Sequence, residues 1–316
     1  DCRLMTNPQA SGIGILGGEC FGGAFGKSKT DGNYYFQGGG IEYRIYRVDG
    51  LKETVRSGGT FTVTPEQVVA AERNRSRMVA SEAKLCSTKI PYVKTAPKMD
   101  GKGEDWTGEQ VAQWNKGNQF PVTIRAAHDD KNLYLLYNVK DGSPWMNNGK
   151  DWQMLFKTGD SVDLQIGSDP KANPKRSGPV PGDMRLLIAP FQGGNIAVLY
   201  RHRQPGTTDS VVFQCPWRSE KVDSVKKLDS AKIAVTKTGD SYIVEVSVPL
   251  SDLGLSSSLG KTLRGDFGII YGDAEGTTNI FRNYWSSQAT GLINDVPGEI
   301  MLSPNLWGDI NMEALP

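Results

Sequence analysis

Apolar and polar residues alternate with a period of two through most of the chain. In KTGDSVDLQIG (157–167), Val162, Leu164 and Ile166 alternate with Ser161, Asp163 and Gln165. One set must face a core and the other the opposite side of a sheet. SYIVEVSVPL repeats the pattern, with Tyr242, Val244, Val246 and Val248 on one face and Glu245 and Ser247 on the other. VTIRAAHDD and NLYLLYNVKD flank an Asp-Asp-Lys turn, and DSVDLQIG and DMRLLIAPF flank the loop 168–182. NIAVLYRHR, AKIAVTKT and DFGIIYGDAEG follow. Regular short strands with polar turns predict an all-β fold, an antiparallel β-sandwich of immunoglobulin-like or jelly-roll-like type, over residues 90–316. The loop 168–182 is long for a hairpin connection, and such loops are often functional or disordered.

Two other patterns precede the sandwich. Residues 1–63 are Gly-rich, and NYYFQGGG, IEYRIYRV and GTFTVT read as short strands. TPEQVVAAERNRSRMVASEAK then switches to a helical signal. Thr64 stands as N-cap, Pro65 takes the first helical position and Gln67 completes a capping box, so residues 64–89 read as a helical connector. The Arg73, Arg75, Arg77 run is read as its solvated face.

Composition narrows the function classes. A formal net charge of +1 gives no broad electrostatic case for nucleic acid or an anionic membrane. No apolar run approaches the ~20 residues that cross a bilayer, so membrane insertion is not expected. The opening DCRLMTNPQ carries no initiating Met or signal peptide, as in a mature or trimmed chain. Cys2, Cys20, Cys86 and Cys215 form no CxxC pair, which disfavours a zinc ribbon, a thioredoxin-type site and covalent haem attachment. Two disulfides, with Cys2–Cys20 the simplest pairing, or four buried thiols are the alternatives. His128 and His202 are the sole histidines, which excludes a multi-histidine metal site.

The candidate chemistry lies in the sandwich. Trp145 and Trp152 bracket WMNNGKDW in a loop that leads into the Asp163 strand, and Trp285 lies in FRNYWSSQ. An indole can stack on the flat C–H face of a sugar or pack in a core. Asp163 and Arg185 fall on consecutive strands, where they could share a face as a hydroxyl-binding pair or as a cross-strand salt bridge. Paired-carboxylate catalysis could draw on Asp160, Asp163, Asp183, Glu245, Asp266 or Asp273, but nothing in the sequence marks one as a proton donor. Asp129, Asp130 and Asp141 lie near turns and could offer oxygens to calcium, or serve as solvated turn acids.

In order, DKNLYLLYNVKD, GDSVDLQIG, GDMRLLIAP, GDSYIVEVSVPL, FGIIYGDAEG, NYWSSQ and GEIMLSP resemble the family 9 carbohydrate-binding modules of the DOMON-like superfamily, over residues 100–304. The resemblance implies an antiparallel sandwich that grips one or two sugar units. It places Asp163 and Arg185 on sugar hydroxyls and Trp285 against the ring. Two positions depart: the second family Trp falls at Phe156–Lys157, so that Trp152 or Trp145 would have to supply that wall, and a family amide falls at Ile270. GGGIEYRIYRVDGL and GTFTVTPEQV are similar to the closing strands of β-propellers.

The expectation is therefore a non-catalytic carbohydrate-binding module of a secreted, periplasmic or cell-surface bacterial protein. Its partner would be a polysaccharide or oligosaccharide, within a larger parent protein or assembly, and no cofactor is expected, calcium being the one candidate ion. The rivals are a haem-b redox domain of the same superfamily, with Met146, Met154, Met184, His128 and His202 as available ligands, a structural or assembly module, and a hydrolase or lyase.

Overall fold

The computed structural model describes residues 86–107, 110–116, 119–143, 145–215, 218–287 and 296–316, and the backbone of five strands within residues 3–48. By contacts the chain divides into two units. One is Asp1–Lys84 with Cys215–Arg218 and Ile293–Asp295, and the other comprises Leu85–Gln214, Ser219–Leu292 and Val296–Pro316. In the first unit, β1 (Arg3–Thr6) pairs with β2 (Ile13–Leu16), and β3 (Phe21–Lys27), β4 (Tyr34–Gly39) and β5 (Arg44–Val48) form an antiparallel meander. The strand expected at GTFTVT and the helix expected from Thr64 lie outside the described residues, as do the side chains of Cys2 and Cys20.

The second unit is the antiparallel β-sandwich. Its strands are β6 (Ser87–Ile90), β7 (Ala112–Lys116), β8 (Gln119–His128), β9 (Asn132–Lys140), β10 (Ser161–Gly167), β11 (Asp183–Phe191) and β12 (Gly194–Arg201), followed by the hairpin β13 (Val211–Cys215) and β14 (Arg218–Val222). The chain closes with β15 (Ser224–Lys227), β16 (Lys232–Thr238), β17 (Ser241–Pro249), β18 (Thr262–Gly272), β19 (Asn279–Tyr284) and β20 (Gly308–Met312). One sheet runs β16-β17-β9-β8-β7, antiparallel throughout. The other runs β15-β12-β11-β10-β18-β20-β6, with β19 also on β18. Its single parallel pair is β20 with β6.

Alternation builds the core as expected. Val162, Leu164 and Ile166 of β10, Leu186 and Ile188 of β11, and Phe267 and Ile269 of β18 pack with Leu133, Leu135, Tyr137, Val244, Val246 and Val248 of the facing sheet. Pleating then sends Leu187, Ala189, Phe191, Val198, Tyr200 and Ile270 to the other side of their sheet. There they meet Leu155 and Phe156 of the short helix Leu155–Thr158, Ile300 of the helix Val296–Ile300, and Phe213 and Val222 of the β13–β14 hairpin. Every residue of β10 is consequently buried. A strand covered on both faces can keep polar residues only by pairing them internally.

Glu245 illustrates that requirement on the facing sheet. It lies on the polar face of β17 and is wholly buried. Its carboxylate accepts from the backbone N–H groups of Asp100, Gly101 and Gly103 and from the Trp106 indole N–H, at 2.6–3.0 Å. The loop 98–106 is thereby anchored over the sheet, with Trp106 packed against Tyr134 and Leu136. This carboxylate is a structural anchor and presents no oxygen to a substrate.

Glu245→Ala would leave four donors without their acceptor, two of them buried. The expected loss of stability is on the order of 3–4 kcal/mol, read as a lower midpoint in urea unfolding. Glu245→Gln, which retains an acceptor, should lose less.

Candidate functional site

β10 and β11 are paired so that Gln165 lies opposite Arg185 and Asp163 opposite Leu187. Asp163 and Arg185 are therefore diagonal neighbours on one face, within reach of each other's long side chains. They meet in a buried ion pair, with Arg185 Nη2 2.5 Å and Nε 2.8 Å from Asp163 Oδ2. The Tyr284 hydroxyl donates to the same oxygen at 2.8 Å, and Arg185 Nη1 donates to the Glu299 carbonyl at 3.1 Å. The guanidinium lies over the Phe156 ring at 5.4 Å. Burial works against the charge on Arg185, but the Asp163 carboxylate outweighs it and holds the guanidinium above its ordinary value. Burial also pushes the Tyr284 phenol up to about 12.

The network continues in both directions along this face. Gln165 donates to Tyr284 Oη at 3.1 Å and accepts from the Trp307 indole N–H at 3.0 Å. Arg176 lies over the Trp307 ring and grips Asp183 through two bonds of 2.8 and 2.6 Å. This fork pins the long loop 168–182, which is ordered against the sheet. On the other side, Glu299 accepts from Lys157 at 3.0 Å and from the Asn279 amide.

The structure brings two of the expected sugar-site residues together and leaves the third apart. Asp163 and Arg185 converge, but each is 0% exposed, so neither reaches solvent; a sugar hydroxyl would have to displace Tyr284 or the Glu299 carbonyl. Trp285 does not join them. The chain alternates at the end of β19, so Tyr284 turns toward Asp163 and Trp285 toward the inter-sheet core. There Trp285 packs edge-on to Phe267 at 5.7 Å and is 7% exposed. Cys86 directs its Sγ to the Trp285 carbonyl at 3.5 Å, and Cys215 is a thiol.

Trp152 is half-buried beside the second core cluster, with Lys227 Nζ 5.2 Å from its ring. Trp145 is buried, packs on Tyr242 at 5.0 Å and donates its indole N–H to Asn195 Oδ1 at 2.7 Å. It forms part of an open groove of about 800 Å³ at the loop end of the sandwich. The groove is lined by Met146, Asn148 and Lys150 from the loop after β9, Phe191, Gln192 and Asn195 from the β11–β12 turn, and Val235 and Lys237 from β16. Sequence reading marked WMNNGKDW for its tryptophans. In the structure Asn148 and Lys150 line the groove, the Asn147 amide is buried on the Leu155 and Asp160 carbonyls, and Trp152 stands apart.

The remaining acids have defined positions. Asp129 accepts from the backbone N–H groups of Lys131 and Asn132 and from the Tyr134 hydroxyl, closing the β8–β9 turn. Burial tends to raise its pKa, but those three donors more than compensate and lower it. Asp130 lies exposed in the same turn. Asp141 and Asp160 form a buried carboxyl pair, with Asp160 also accepting from the backbone N–H groups of Met146 and Gly272, both at 2.6 Å. Burial and the neighbouring Asp141 raise Asp160 to about 7. Burial raises Asp266 to about 8 against two backbone N–H donors, those of Ser286 and Ser287. Of the possible haem ligands, His128 and His202 are fully buried, and His202 Nε2 lies 2.8 Å from the Ile300 carbonyl. Burial lowers His202 to about 4. Among the described residues, no three His, Cys, Asp or Glu side chains gather in a metal-binding arrangement.

Two outcomes follow from these buried charges. Asp163→Ala strands Arg185 in the interior and should cost about 3–5 kcal/mol, measured by urea or thermal unfolding. The raised carboxyls act in the opposite sense to ordinary acids. The folded state holds protons on Asp160 and Asp266 that the unfolded chain releases near pH ~4, so their stabilising contribution is lost as pH rises through about 7 and about 8. Unfolding free energy should therefore fall as pH rises from about 4 and level off above about 8, with a slope of up to ~1.4 kcal/mol per pH unit for each proton; His202, lowered to about 4, offsets one proton's share below about pH 6.5. Asp160→Asn should reduce that slope and leave the Asp266 part.

No protein-family model matches the chain, and no curated protein matches it. Solved structures similar to it include a family 9 carbohydrate-binding module from Caldicellulosiruptor kristjanssonii in complex with cellotriose. That match has 15% identity, covers 73% of this chain and 95% of that one, and has a TM-score of 0.44. A family 9 module from the same organism in complex with glucose gives 14%, 72% and 97%, with a TM-score of 0.40. A Bacteroides uniformis protein described as carbohydrate-binding gives 13%, 73% and 100%, with a TM-score of 0.41.

Proposed function

We propose that the sandwich is a non-catalytic carbohydrate-binding module of a secreted or cell-surface protein, and that its sugar lies in the loop-end groove. The observation that carries this reading is the groove's lining. Gln192 offers both a donor and an acceptor, Asn195 its N–H groups and Asn148 its amide oxygen, which together match the donor and acceptor of a sugar hydroxyl. Phe191 and Met146 add apolar surface for the C–H faces of a ring. About 800 Å³ falls within the size range of small-ligand sites.

In this reading Asp163 and Arg185 are positioning residues. They fix β10 and β11 from beneath, and β11 delivers Phe191 and Gln192 to the groove wall. The hydrogen bonds that sugars make to neutral amides contribute modestly, so affinity in the micromolar-to-millimolar range is expected once ordering costs are subtracted. The described residues contain no helix long and apolar enough to cross a membrane.

Gln192→Ala and Asn148→Ala each remove one side-chain amide from exposed positions. Each should weaken retention in affinity electrophoresis through immobilised polysaccharide by about threefold to tenfold. The unfolding midpoint should not move. Retention by both variants equal to that of the parent chain would place the sugar elsewhere.

A further inference from the structure

We infer that this groove selects an acidic glycan, one carrying carboxylate or sulfate groups, over a neutral one; the inference rests on the groove being the sugar site. Two lysines line it from different elements: Lys150 from the loop after Trp145, and Lys237 from the edge strand β16. Both are exposed, and neither has an ion-pair partner among the described residues. No carboxylate lines the groove.

Three neighbouring acids are engaged elsewhere. Asp151, next to Lys150 in sequence, accepts from the Gln153 backbone N–H at 2.9 Å. Asp240, on the turn after β16, pairs with Lys140 at 3.1 Å. Asp160 holds the backbone N–H groups of Met146 and Gly272. A third ammonium, Lys227, lies 5.0 Å from the ring centre of Phe191, which lines the groove.

This local excess of positive charge does not reflect a basic protein, because the chain as a whole carries a formal net charge of +1. A lysine on an edge strand also discourages pairing with another chain, which would account for Lys237 alone. Lys150 is on a loop and has no such duty, so the two together indicate an anionic ligand. The amides add a second layer of recognition. Asn195 spends its Oδ1 on the Trp145 indole, leaving its N–H groups as donors. Trp145 and Gln192 hold φ of 55° and 50°, a backbone region that non-glycine residues seldom occupy and that recurs at ligand-binding positions.

The test compares binding of the full chain to polygalacturonate, a sulfated galactan and neutral glucomannan, by affinity electrophoresis and calorimetry. Expected are tighter binding to at least one acidic polymer than to glucomannan, weakening with added salt, and about tenfold loss in a Lys150→Ala/Lys237→Ala double variant, two exposed ionic contacts being removed. The two acidic arms separate carboxylate from sulfate recognition. The Lys150→Arg/Lys237→Arg variant should retain binding, and a Lys102→Ala/Lys131→Ala control, changed outside the groove, should match the parent. Equal binding to all three polymers with no effect of the double variant would overturn the acidic preference and leave the sugar-binding reading intact. Equal loss in the control variant would also overturn it, since the attraction would then be general. Binding to none of the polymers would remove both readings.

Discussion

The buried pair between Asp163 and Arg185 is the constraint around which the sandwich is arranged. An ion pair with no access to water costs several kcal/mol of desolvation per ion unless its remaining hydrogen-bonding groups are satisfied. Here the Tyr284 hydroxyl, the Glu299 carbonyl and the Phe156 ring supply most of that environment, while Asp163 Oδ1 has no hydrogen-bond partner among the described residues. Each comes from a different segment, so satisfying one pair fixes β19, the helix Val296–Ile300 and the helix Leu155–Thr158 against one sheet. Space is equally exact. Gly268 pairs with Asp163 across β10–β18, and a Cβ there would collide with Asp163 Oδ1 and the Tyr284 ring. A side chain at 268 is incompatible with the pair.

Much of the fold was legible because alternation is a local property. The strands from NLYLLYNVKD to DFGIIYGDAEG, the antiparallel pairing of DSVDLQIG with DMRLLIAPF, and the inward set Val162, Leu164 and Ile166 all follow from period two and turn chemistry. What alternation cannot state is what covers the outward face. The sequence places Asp163, Gln165 and Arg185 on a polar face, and a polar face reads equally as surface or site. Leu187, Ala189 and Phe191 on that same face were the available signal that it is buried. An outward set mixing Arg185 with three apolar residues needs a second packed layer, which the second cluster supplies.

The tryptophans show the same limit from the other side. Trp285 was read as a stacking residue, yet its neighbour Tyr284 is the one aimed at Asp163, and one step along an extended chain reverses the face. Trp145 lines the groove but is 3% exposed with its N–H already bound, so it offers a sugar little stacking surface. The residues that sequence reading passed over, Asn148, Gln192, Asn195 and Lys237, carry no motif. They meet because two loops and an edge strand end at the same place, and such convergence has no signature in spacing.

A sheet face filled from within changes where ligand recognition can occur. Opening the Asp163 face would expose apolar side chains of the second cluster and strand a guanidinium, both strongly unfavourable. The loop end carries neither cost: its exposed amides and lysines are already hydrated, and a ligand exchanges water for hydroxyls and anionic groups of similar hydrogen-bonding capacity. The stiff, ion-paired layer and the exposed groove are thus two parts of one arrangement. The buried network spends its polar groups on holding β10 and β11 in register, and that rigidity lets the short β11–β12 turn keep Gln192 in its uncommon backbone conformation beside the lysines.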